Sequence, residues 1–247
     1  MRLFGAGAVA GMLPRCDDHS GAPSRGPGRL RARPGAPRAG RLEPGLHGFG
    51  PRGRRDALLY VPRAPGPDEP KPFAVALHGA GGTPERGIGP LLEHAEDRGL
   101  VVLAPKARGR TWDVILGGFG PDVEFVDRAL ERVFARTAID PRRVAVEGFS
   151  DGASYALSLG LTNGDLFTHV IAFSPGFAVP GESVGSPRVF VSHGTDDNVL
   201  PIDRTSRRLV PRLESGGYDV RYEEFDGRHA VPPRIARAAV EWFLDDA

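Results

Sequence analysis

The stretch that most limits how this chain can fold is Val144-Ala145-Val146-Glu147-Gly148-Phe149-Ser150-Asp151-Gly152-Ala153-Ser154-Tyr155-Ala156-Leu157. Val144 to Glu147 reads as a buried strand and Ala153 to Leu161 as a helix of small residues. Gly148-Phe149-Ser150-Asp151-Gly152 must therefore convert one into the other within a few residues. A G-x-S-x-G turn of this kind is sharp and strained, and its glycines let strand and helix approach without a Cβ clash. Ser150 is thereby held clear of the sheet, above a helix N-terminus whose free N–H groups favour a developing negative charge. The motif is common by chance, so its meaning depends on what the other strand ends carry.

Those ends recur at regular intervals. Ala57 to Val61 is a predicted strand ended by Pro62, and Phe73 to Leu77 is an apolar run that leads into His78-Gly79-Ala80-Gly81-Gly82. A helix beginning at Thr83 or Pro84 carries Ile88, Leu91, Leu92 and Ala95 on one face and closes at Gly99. Val101 to Pro105 is the next strand. The following loop, Lys106 to Gly120, mixes four glycines with Trp112, Ile115, Leu116 and Phe119, a composition that suits a pocket wall or a cap on the core. A helix then opens at Pro121. Beyond the serine, strands are expected at Thr168 to Phe173, Val189 to Ser192 and Val220 to Phe225. A helix from about Arg204, capped by Asp203, should kink or break at Pro211. Ile235, Ala238, Ala239, Trp242 and Phe243 mark a closing amphipathic helix. The alternation of strand and helix predicts an α/β fold with a mostly parallel central sheet and helices on both faces.

Composition bounds the rest. Residues 1 to 55 hold eleven arginines against Asp17, Asp18 and Glu43, and half of the 24 prolines fall within the first 72 residues. Residues 1 to 45 are expected to form a disordered or loosely attached leader, and 46 to 247 one domain with its body beginning near Asp56. Basic as it is, the leader has almost no aromatics for base stacking, so nucleic acid is not an expected partner. Leu3 to Leu13 resembles a short signal-peptide core, but Pro14 and Arg15 sit badly at a cleavage site, which favours a cytoplasmic over an exported protein. The lone Cys16 cannot form an internal disulfide, and no run of apolar residues is long enough for a spanning helix. The sequence shows no zinc-binding pattern of Cys and His.

A serine hydroxyl needs a base to take its proton and a third group to orient that base. His229 lies on the loop after the final strand, at the sheet edge where Ser150 emerges, and is the best candidate base. The acid should come from the loop after the preceding strand, where Asp196, Asp197 and Asp203 all qualify. His78 and His193 sit at strand ends and are expected to be structural. Arg108 and Arg110 could meet an anionic substrate or simply decorate a solvated loop.

Together, His78-Gly79-Ala80-Gly81-Gly82, Gly148-Phe149-Ser150-Asp151-Gly152, His193-Gly194-Thr195-Asp196-Asp197 through Pro201, and Gly227-Arg228-His229 resemble the α/β-hydrolase superfamily. Within it they resemble the carboxylesterase, phospholipase and polyhydroxybutyrate-depolymerase-like serine esterases, over roughly Asp56 to Phe243. The resemblance implies a Ser150–His229–Asp197 triad, with Asp197 the acid because it follows the His-Gly histidine by four residues. It also implies an oxyanion hole from the N–H groups of Asp151 and Ala80, with Gly81 the next donor. Gly81, Trp112 and Val199 are candidate pocket residues, no metal or organic cofactor is called for, and no inserted lid domain is expected. A carboxylic-ester hydrolase for a small or extended substrate follows. Thioesterase, dienelactone hydrolase or peptidase activity on the same residues is the near alternative, and a non-catalytic binding protein the distant one.

Overall fold

The computed structural model describes residues 26–50 and 56–245. The signal-like run at Leu3 to Leu13, and the leader as far as residue 25, lie outside the described residues. Among the described residues eight strands form one sheet in the order β1-β2-β4-β3-β5-β6-β7-β8. They are β1 (Gly45–Phe49), β2 (Ala57–Val61), β3 (Lys71–Leu77), β4 (Val101–Pro105), β5 (Ile139–Phe149), β6 (His169–Phe173), β7 (Arg188–Gly194) and β8 (Val220–Phe225). β1 and β2 run antiparallel to their neighbours, and the six strands from β4 across to β8 are parallel. Each parallel strand delivers its carboxyl end to one edge, where ligands of such sheets bind.

Among the described residues five α-helices cover the faces: α1 (Pro84–Ala95), α2 (Pro121–Phe134), α3 (Asp151–Thr162), α4 (Ser206–Ser215) and α5 (Pro233–Asp245). Ile88 and Leu91 of α1 join Ile235, Trp242 and Phe243 of α5 in the core on one face. Val126 and Leu130 of α2, Tyr155 and Leu159 of α3, and Val210 and Leu213 of α4 join the core on the other. All of α3 from Gly152 to Thr162 is buried. Small residues are what permit this, since a Cβ on Gly160 would run into the Val170 and Val146 side chains. Among the described residues no helix is long and apolar enough to cross a membrane.

Four expectations need correction. Residues 26 to 45 are part of the folded body: Leu30 is fully buried, and Asn163 at the end of α3 accepts from the Leu30 N–H and donates to the Gly28 carbonyl, both at 2.8 Å. Arg29 and Arg33 both bind Asp165, at 2.8 and 2.5 Å, and β1 then joins the sheet beside β2. β5 begins at Ile139, ahead of the strand expected from Val144. The helix after β7 runs through Pro211 to Ser215, because Pro211 is exposed and water can take up the carbonyl it leaves unpaired. Asp203 is not its cap: it sits in a short 3-10 turn and binds Arg207 at 2.7 Å.

Candidate active site

The turn after β5 is built around Ser150, whose φ of 58° and ψ of −121° are strained for a residue with a side chain. Its N–H is tied to the Phe173 carbonyl at 2.9 Å, which fixes the turn to β6. A Cβ on Gly148 would collide with the Gly152 carbonyl, and one on Gly152 with the Leu77 carbonyl, so both flanking glycines are required by close backbone approach. The hydroxyl oxygen stands 2.9 Å from His229 Nε2, and His229 Nδ1 stands 2.5 Å from Asp197 Oδ2. Three residues on three separate loops are thus in line.

The Asp197 carboxylate is held hard in place. Asp197 Oδ1 accepts from the Val199 and Leu200 N–H groups at 2.9 and 2.8 Å. Burial alone would raise its pKa, but the Leu200 N–H, the His229 ring and the Val199 N–H together keep the carboxyl below its ordinary value. Asp196, by contrast, is exposed, and its side chain has no bond to His229 among the described residues. His229 is half-buried and packs on the Phe149 ring, with centroids 4.6 Å apart.

His193 Nε2 also approaches Asp197 Oδ2, at 3.1 Å, but is nearer the Leu200 carbonyl at 2.8 Å. Burial pushes this histidine's pKa down, so the ring is neutral and the contact is a shared hydrogen bond, not an ion pair. Its Nδ1 accepts from the Ser206 hydroxyl at 2.7 Å. His78, at the end of β3, is arranged in the opposite sense. Its Nε2 accepts from the Ala107 N–H at 3.1 Å, which leaves Nδ1 to donate to the Gly79 carbonyl at 2.7 Å.

The loop after His78 passes directly beside the serine, since a Cβ on Gly79 would sit 3.4 Å from that of Ser150. Gly81 donates its N–H to the Arg110 carbonyl at 2.8 Å and Gly82 donates to the Gly79 carbonyl at 3.0 Å. The Ala80 and Asp151 N–H groups have no backbone partner among the described residues. The Asp151 carboxylate is pulled aside by the Thr111 hydroxyl at 2.6 Å, so the backbone of this first α3 residue is free of it. Gly81, the second-choice donor, is thereby removed from that role.

A cleft of about 290 Å³ opens over Ser150, lined by Leu77, Ala80, Pro90, Phe149, Val199 and His229, and by Arg86 from α1. Val199 is where the sequence put it. Trp112 is not: it is fully buried, donates its indole N–H to the His78 carbonyl at 2.8 Å, and stacks on Tyr155 with centroids 5.0 Å apart. Its loop therefore caps the core behind the site. A larger cavity of about 730 Å³ lies between Arg31–Arg38 and α2, away from these groups, so chemistry and not size selects the site. Among the described residues no three His, Cys, Asp or Glu are placed to hold a metal.

The sheet order, the strained serine turn after β5 and the aligned loops after β7 and β8 define a known architecture. The chain has the α/β-hydrolase fold. The model of the phospholipase/carboxylesterase family matches residues 123–243, which include Ser150, Asp197 and His229. The acetylxylan esterase of Coprinopsis cinerea is 32% identical over 104 residues, covering 38% of this chain and 28% of that protein. NocK of Nocardia uniformis subsp. tsuyamanensis, named as an esterase, is 28% identical over 167 residues, covering 63% of this chain and 48% of that protein. The chain thus spans about half or less of the length of these curated relatives. The solved structure of esterase PE8 superposes with a TM-score of 0.62 at 22% identity, over 81% of this chain and 99% of that one.

Proposed function

We propose that the protein is a serine hydrolase that cleaves carboxylic esters through an acyl-enzyme. The unbroken line of contacts from the Ser150 hydroxyl through His229 to Asp197 carries this reading. His229 Nε2 accepts the Ser150 proton as the hydroxyl oxygen attacks the ester carbonyl, and the resulting imidazolium faces the Asp197 carboxylate, already ionised. The negative charge on the tetrahedral oxygen is met by the Ala80 and Asp151 N–H groups, the second at the N-terminus of α3. Collapse expels the alcohol, which takes the proton from His229. Water then enters, gives its proton to the same nitrogen, attacks the acyl carbon and releases the acid and Ser150. Donors aimed at charge present only in the transition state lower the barrier without tightening the ground state.

A fluorophosphonate probe tests the reading. The native protein should be labelled and Ser150→Ala should not. No labelling of either, with both folded, would leave a binding protein on a hydrolase fold.

A further inference from the structure

Arg86 is the cleft-lining residue that carries a permanent charge. It lies in the first turn of α1, where its N–H bonds the Thr83 carbonyl at 3.1 Å, and its side chain is exposed. Most arginines with a defined role here are neutralised: Arg29 and Arg33 on Asp165, Arg207 on Asp203 and Glu224, Arg221 on Glu223. Arg108, one of the two cations the sequence offered for an anionic substrate, is spent on the Lys106 carbonyl, the Asp56 carboxylate and the Phe125 ring. Arg86 has no carboxylate partner among the described residues. Leu77, Pro90, Phe149 and Val199 give the same cleft apolar walls. Arg86 thus lines the same 290 Å³ space as the serine and the imidazole, and a guanidinium suits a carboxylate in shape and charge.

Resting on the ester-hydrolase reading, we propose that Arg86 selects esters that carry a carboxylate within a few atoms of the scissile bond. The acid group belongs either to the acyl part or to the alcohol, and the two give different substrates. Mono-4-nitrophenyl succinate against 4-nitrophenyl butyrate probes the first, and 4-acetoxybenzoate against 4-acetoxybenzamide the second. In the native protein one of the two acidic esters should be preferred over its neutral partner. Arg86→Ala should lower that preference about tenfold or more, chiefly through KM, as expected for a contact already made in the bound substrate. Arg86→Lys should keep part of it and Arg86→Glu should reverse it. Arg110→Ala, a cation outside the cleft, should leave it alone. No preference in either pair, or an equal loss with Arg110→Ala, overturns the proposal.

A binding measurement separates this inference from the reading beneath it. Titration of Ser150→Ala with monomethyl succinate and with methyl butyrate, neither of which it can cleave, should show tighter binding of the anion. That advantage should vanish in Ser150→Ala/Arg86→Ala. Equal binding within this pair and within the pair 4-acetoxybenzoate and 4-acetoxybenzamide overturns the role of Arg86 whether or not the native protein hydrolyses any ester. Failure of every ester with anion binding intact overturns only the hydrolase reading.

Discussion

The two His-Gly turns, at the ends of β3 and β7, use the same dipeptide for opposite ends. In each, a buried neutral imidazole bridges two segments: His78 joins Ala107 to Gly79, and His193 joins Ser206 to Leu200. The tautomers are reversed, because His78 Nε2 faces an N–H and His193 Nε2 faces a carbonyl. After His193 the loop folds back, and its N–H groups at Val199 and Leu200 are consumed by the Asp197 carboxylate. After His78 the loop stays open, and the Ala80 N–H is left without a backbone partner beside Ser150. One turn spends its donors to fix a negative charge already present. On the proposed mechanism, the other withholds a donor for a charge still to come.

The largest effect that could break this contrast is on the acid. Asp197→Asn should keep the loop but lose the carboxylate facing His229, lowering kcat by about a thousandfold to ten-thousandfold. Asp196→Asn, on an exposed side chain, should cost little in the same ester assay. The reverse ranking would move the acid to the neighbouring residue. Next comes the open turn: Ala80→Pro deletes the withheld N–H and should lower kcat about a hundredfold or more, with fluorophosphonate labelling slowed in step. A loss carried wholly by KM would show that this donor is not aimed at the transition state.

The smallest effect concerns the two bracing histidines. Burial holds both below the ordinary imidazole value, so at pH below about 6.5 the unfolded chain binds protons that the folded chain refuses. Stability should therefore fall as pH drops through that value and level off above it. His78→Gln and His193→Gln should each lower stability at neutral pH by about 1–3 kcal/mol, from the partners left unpaired. Each should also flatten the decline between about pH 7 and pH 5. Urea unfolding across that range measures both quantities. An unchanged slope in either variant would show that its imidazole already carries a proton when folded.

The parallel strands and the serine turn were legible because both are written locally, as apolar runs and glycines next to the residues they serve. The convergence of Ser150, Asp197 and His229 was legible in the same way: each follows a strand, and strand ends share one edge of a parallel sheet. The attachment of residues 26 to 45 was not. Its anchors, Asn163, Asp165 and Asp127, lie more than 90 positions away, and composition alone reads this arginine- and proline-rich segment as unable to pack. Trp112 was misread for a related reason, since a glycine-rich loop gives no sign that its largest side chain turns inward to stack on Tyr155. Arg86 went unnoticed because an exposed arginine in a first helical turn is ordinary. Only the position of α1 against the loop after His78 brings it to the cleft.

Along α3, three hydroxyls one turn apart form a rail. Ser158 donates to the Ser154 carbonyl at 2.7 Å and Thr162 to the Ser158 carbonyl at 2.6 Å. The oxygens of Ser154, Ser158 and Thr162 in turn accept the Gly176, Val179 and Gly181 N–H groups, each at 3.0 Å. The helix that starts at Ser150 thus also fastens the segment after β6, and Gly176 of that segment packs beside Leu200 of the acid loop. A chimera that imports another protein's version of residues 176 to 181 must present N–H groups at positions 176, 179 and 181, which bars proline from those three places. Otherwise the transplanted segment comes loose from the helix that presents Ser150.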